Sequence, residues 1–100
     1  MTKPLDLFRL AERVGRKLLT RGTRVVAAES CTGGWIAKAL TDVPGSSQWF
    51  AEGYVSYSNR AKQRDLKVTA ATLKKHGAVS REVVREMALG ALERTGADFS

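Results

Sequence analysis

Val25-Val26-Ala27-Ala28-Glu29-Ser30-Cys31-Thr32-Gly33-Gly34-Trp35 runs from an apolar segment into two nucleophilic side chains, two glycines and the start of a helical pattern. Val25 to Ala28 is wholly apolar and reads as a short strand of the kind buried on both faces in an α/β sheet. A strand that stops at Ser30 presents its hydroxyl at the carboxyl edge of the sheet, where open α/β folds bind ligands. The Thr32-Gly33-Gly34 turn then offers backbone N–H groups to an oxyanion or a phosphate. The same pattern also fits a plain strand-to-helix bend in which Ser30 caps the helix.

Outward from this stretch, the chain reads as helices around a small sheet. Leu5 to Leu19 carries Leu7, Leu10, Ala11, Val14 and Leu18 at spacings of three and four, an amphipathic helix with Pro4 in its first turn and Arg21-Gly22 at its end. Trp35, Ile36, Ala39 and Leu40 predict a helix packing back on the first strand, stopped by Val43-Pro44-Gly45. Trp49 to Ser58 is aromatic and β-branched enough for a second strand, with Gly53 marking a bulge or a close backbone approach. Asn59 is a candidate N-cap for a short helix bearing Ala61, Lys62 and Leu66. Thr69 to Lys75 predicts a further short helix closed by His76-Gly77, and Ser80 caps a longer one carrying Val83, Val84, Met87, Ala88, Ala91 and Leu92. Thr95-Gly96 stops it, and Ala97 to Ser100 starts like another strand. The expected architecture is a three-layer α/β/α domain over residues 1–100 with a small mixed sheet, and two strands are few for so many helices.

Bulk properties narrow the function. A chain of 100 residues builds one core. Its apolar runs fall far short of the roughly 20 residues of a membrane span, and no secretory signal is visible, so a cytoplasmic location is expected. Cys31 is the only cysteine and His76 the only histidine, which excludes an intrachain disulfide and argues against a structural zinc site. The net charge of +7 raises nucleic acid as a partner. However, Arg9, Arg13, Arg16 and Lys17 share a helix face without interleaved aromatics, which reads as a solvated face rather than a nucleic-acid platform. The charge suits an anionic small substrate equally well.

A serine nucleophile needs a base. His76 precedes a helix-stopping glycine and reads as a C-terminal cap. Lys62 is the other candidate, with the Tyr57 hydroxyl as a relay; a lysine serves as base where burial and nearby positive charge favour its neutral form. Cys31 competes with Ser30 as nucleophile, since a thiol at a helix N-terminus is reactive. Neighbours on an extended chain face opposite ways, so one of the two faces the site and the other the core, and cysteine is the better core residue. Glu29 is a candidate orienting carboxylate, a partner for Lys62, or a surface acid near a helix N-terminus.

Four ordered blocks, Ala27 to Trp35, Leu40-Thr41-Asp42-Val43-Pro44-Gly45-Ser46-Ser47, Gly53 to Lys62, and His76-Gly77-Ala78-Val79-Ser80, resemble the C-terminal domain of the competence/damage-inducible CinA family. That domain also occurs alone as a nicotinamide-nucleotide amidase. The resemblance implies hydrolysis of the carboxamide of nicotinamide mononucleotide, giving nicotinate mononucleotide and ammonia in pyridine-nucleotide salvage, with no cofactor and no metal. It implies Ser30 as nucleophile with Tyr57 and Lys62 as activating partners. Thr32, Gly33 and Gly34 would sit beside the reacting carbonyl, and Ser46 and Ser47 in a loop approaching the nucleotide. It also implies a homo-oligomer. Family members continue past the position of Ser100 into another strand and a glycine-rich loop, so the domain reads as incomplete. The second functional reading is a non-catalytic CinA-like binding or assembly module in competence or DNA-damage responses.

Overall fold

Residues 6–100 are described by a computed structural model. In chain order they form α1 (Leu7–Arg21), β1 (Val25–Glu29), α2 (Trp35–Thr41), a 3-10 turn at Ser46–Gln48, β2 (Phe50–Val55), α3 (Asn59–Leu66), α4 (Ala70–His76) and α5 (Arg81–Thr95). Pro4 and Leu5, expected in the first turn of α1, lie outside the described residues. Side-chain oxygens start four of the helices: Asp6 accepts from Arg9 N–H, Ser58 from Ala61, Thr69 from Thr72 and Ser80 from Val83. The cap of α3 is therefore Ser58 rather than Asn59, because Ser58 alone has the extended backbone that aims its oxygen back at the first turn. Gly22 and Gly96 close α1 and α5 in the left-handed conformation.

β1 and β2 pair in parallel, which requires a crossover, and α2 supplies it. Asp98 and Phe99 add to the other edge of β1. Phe99 forms a parallel bridge to Val25, and its carbonyl accepts from Val26 N–H at 2.8 Å. The observed pairing is thus parallel throughout the described residues, where a mixed sheet was expected. β2 is also shorter than its aromatic pattern predicts. Trp49 precedes it, buried, with its carbonyl accepting from Val25 N–H at 2.9 Å, and Ser56 to Ser58 lead into α3.

The register jumps between Val25↔Phe50 and Val26↔Glu52, leaving Ala51 as an extra residue in β2. That irregularity lets one short strand serve two cores. Phe50 joins Val25, Ala11, Leu18, Leu40, Val43 and Trp49 on the α1/α2 side. Tyr54 joins Val26, Ala28, Leu66, Val83, Met87 and Ala91 on the α3/α5 side. Helices therefore cover both faces of the sheet, giving the three-layer α/β/α order. Gly53 is the close approach and not the bulge: a Cβ there would meet the Ala37 Cβ at 3.3 Å.

Trp35 and Ile36 do not pack on β1. They are 65% and 49% exposed, and with Leu7, Leu10, Val14 and Leu40 they border an apolar groove of about 370 Å³ between α1 and α2. Ala37 faces the sheet instead, since the tight α2–β2 approach admits only a small side chain. No helix among the described residues is long and apolar enough to cross a membrane.

Candidate active site

The ladder dictates what meets at the carboxyl edge. Glu29 is level with Val55, and Ser56 N–H donates to the Glu29 carbonyl at 2.8 Å, so pairing runs one residue beyond β2. Ser30 and Tyr57 consequently leave the sheet side by side. Alternation along β1 sends Ser30 toward the α3/α5 face, where Val26 and Ala28 already point. Ser58 then opens α3 at once, and its first turn carries Lys62 back under the strand ends.

Two of the expected residues converge on one atom. The Tyr57 carbonyl oxygen accepts from Lys62 Nζ at 2.7 Å and, more loosely, from Ser30 Oγ at 3.5 Å. Lys62 is 1% exposed and Ser30 half-buried. No carboxylate pairs with Lys62 among the described residues. Lys62 and Ser30 thus share one neutral acceptor, with no hydrogen bond between their side chains among the described residues. Tyr57 takes part through its main chain. Its side chain is 70% exposed, and its hydroxyl makes no hydrogen bond among the described residues, so the expected relay is not assembled here.

The turn itself differs from expectation in three ways. Cys31 is exposed, not core, because the extended backbone ends before it and alternation no longer applies. Ser30 does not cap α2; Gly34 occupies the N-cap position and offers no side chain. The capping acceptor is Glu29, which is neither a surface acid nor a partner of Lys62. Its Oε1 accepts from the Thr32 hydroxyl and Ile36 N–H, both at 2.8 Å, and its Oε2 from Ala37 N–H at 2.9 Å. Glu29 is 2% exposed, and burial pushes its carboxyl up. The Ala37, Ile36, Thr32 and Gly34 hydrogen bonds outweigh that and hold it below its ordinary value.

An internal carboxylate therefore fills the place expected for a bound anion. Gly33 N–H is also used, donating to the Ser30 carbonyl at 3.0 Å, so the glycines shape the turn rather than offer an open cradle. Their left-handed φ values of 64° and 104° explain why glycine is needed at both positions. The N–H groups of Cys31 and Thr32 carry no hydrogen bond among the described residues.

Ser46 and Ser47 are not brought to this edge. Ser46 Oγ donates to the Thr41 carbonyl, and the Ser47 carbonyl accepts from Arg24, just before β1 begins. The full length of β1, about 3.3 Å per residue, separates them from Ser30. His76 pairs with Glu82 across 3.5 Å and ends α4. Among the described residues no group of three His, Cys, Asp or Glu side chains could hold a metal. Sequence reasoning missed the Tyr57 carbonyl and the buried Ser56; main-chain acceptors carry no side-chain signal, but Ser58 at helix-capping distance from Ala61 marks where the strand exit must lie.

A profile of the CinA C-terminal domain matches residues 7–100. The chain belongs to the CinA C-terminal domain family. It is 54% identical over 95 residues to the nicotinamide-nucleotide amidohydrolase PncC of Escherichia coli K12, covering 95% of this chain and 58% of that protein. It is 58% identical to a CinA-like protein of Chlorobaculum tepidum over 91% of this chain and 22% of that protein. Among solved structures, the competence/damage inducible protein CihA of Agrobacterium tumefaciens superposes with a TM-score of 0.91 at 45% identity, covering 98% of this chain and 59% of that one. The chain thus spans less than two thirds of these family members. What it shares with them includes the β1–α2–β2 unit and α3, which together make the Ser30 edge.

Proposed function

We propose that this chain carries the reacting centre of a serine amidohydrolase, and that its substrate is nicotinamide mononucleotide, deamidated to nicotinate mononucleotide in pyridine-nucleotide salvage. The observation that supports this most is the convergence of Ser30 Oγ and buried Lys62 Nζ on the Tyr57 carbonyl. The kinship with a protein named as a nicotinamide-nucleotide amidohydrolase supports the substrate.

In this mechanism Lys62 takes the Ser30 proton as Oγ attacks the carboxamide carbon. The tetrahedral oxyanion faces the N–H groups of Cys31 and Thr32, the donors the turn leaves unused. The Lys62 ammonium returns the proton to nitrogen, the C–N bond breaks, and ammonia leaves an acyl ester on Ser30. Water attacks the ester, its proton passing to Lys62 and then to Ser30 Oγ, and the acid is released. Tyr57 presents its carbonyl as the hinge between the two groups, and its exposed ring stands at the rim for substrate.

Ammonia release from nicotinamide mononucleotide tests this, measured for the chain, for its Lys62→Met variant and for the longer Escherichia coli relative. The proposal expects release by the wild-type chain and a loss of about 10²–10⁴-fold in Lys62→Met, the span typical of general-base removal. Release by the relative and none by this chain would contradict the assignment of the reaction to this chain and place it in the longer relative's additional length.

A further inference from the structure

We infer that Glu29 is a positioning residue for the reaction at Ser30, acting through Thr32 and the start of α2 without touching substrate. The inference rests on Ser30 being the nucleophile. A carboxylate only 2% exposed has no lysine or arginine paired with it among the described residues, and its oxygens are instead spent on the turn. Oε1 holds the Thr32 hydroxyl and Ile36 N–H, and Oε2 holds Ala37 N–H. Its main-chain carbonyl meanwhile holds Ser56 N–H, one residue before Tyr57. A single residue therefore ties together the strand that delivers Ser30, the turn that follows it, the helix behind it and the segment that supplies the shared carbonyl.

An ordinary helix cap would not need this placement. A cap at the N-cap position would reach only the first turn of α2, and the left-handed Gly34 there offers no side chain, whereas the buried Glu29 bonds Thr32 inside the turn as well as Ile36 and Ala37. Without it, Ile36 and Ala37 lose their acceptors and Thr32 its anchor. The contact between Ser30 and the Tyr57 carbonyl is already long at 3.5 Å, so it has little tolerance for a turn that drifts.

Reaction with a small alkyl fluorophosphonate separates positioning from folding. Serine Oγ forms the O–P bond and fluoride leaves, so intact mass gives both the rate and the fraction of chains that react. Wild type, Glu29→Gln and Thr32→Val are compared, with the modified residue located by peptide mass. We expect Glu29→Gln to reach the wild-type endpoint about 10- to 100-fold more slowly, as displaced reacting groups do. Thr32→Val, which removes only the hydroxyl donor to Glu29, is slowed less and also reaches the full endpoint. It keeps the test open if Glu29→Gln fails to fold. An unchanged rate in both variants, or a reduced endpoint at the wild-type rate, would overturn the positioning role while leaving Ser30 as nucleophile. Wild-type chain unlabelled at Ser30 would instead overturn the nucleophile and the inference with it.

Discussion

Glu29 stays ionised at the cost of burial because hydrogen bonds from Ala37, Ile36, Thr32 and Gly34 compensate the lost hydration. Its folded-state value lies below the ordinary 4.5, so the charged form stabilises the fold fully above the unfolded-state value, and that stabilisation disappears as pH falls through the folded one. Urea unfolding should therefore find Glu29→Gln less stable than wild type by about 1–3 kcal/mol at neutral pH, the cost of stranding buried donors. The gap should close in acid; a gap constant down to the most acidic buffer would contradict an ionised Glu29. At this scale the sequence was informative about residue types and poor about directions. Ser30 was legible as a hydroxyl at a strand end, whereas Lys62 was one local candidate base and was singled out by the resemblance to the CinA family. Cys31 was misplaced because its assignment assumed that strand alternation continues past Ser30, where it ends; the partners of Glu29 and the outward direction of the Tyr57 ring are set by the turn and helix that close around them.

Helix α3 matters as the carrier of Lys62, and its position is set by contact with α5. Gly90 of α5 is fully enclosed, and a Cβ there would land on the Leu66 carbonyl at the end of α3. Gly90→Ala gains about 1 kcal/mol of helix propensity. The overlap with a backbone carbonyl outweighs that gain, for a net loss of about 1–3 kcal/mol. Thermal melts should show the loss, and ammonia release should fall as well, because α3 cannot shift without moving Lys62. A variant at least as stable as wild type would show that the two helices are not in backbone contact. Helix ends were legible in sequence, since Ser80, Thr69 and the glycines at 22 and 96 act locally. The bulge at Ala51 was not, because it answers a long-range demand: Phe50 and Tyr54 must face opposite cores.

The described molecule is a broad slab, 38 × 38 × 17 Å, with a radius of gyration of 14.5 Å against about 13 Å for a compact chain of this length. Its two tryptophans report on two sides of that slab. Trp49 is 3% exposed under α1, where a Cβ at Gly15 would strike its indole, while Trp35 stands open at the apolar groove. Iodide should therefore quench one red-shifted component that Trp35→Phe removes, leaving a blue-shifted, unquenched Trp49. Quenching lost as protein concentration rises would mean that the groove is covered by another copy. Within it Ser30, Lys62 and the Tyr57 carbonyl meet at one strand edge. In the proposed reaction Ser30, and not the exposed Cys31 beside it, attacks the amide. The most direct measurement is ammonia release from nicotinamide mononucleotide by Ser30→Ala and Cys31→Ala, each beside wild type: release abolished in Ser30→Ala and largely kept in Cys31→Ala is the predicted result, and the reverse pattern would contradict it.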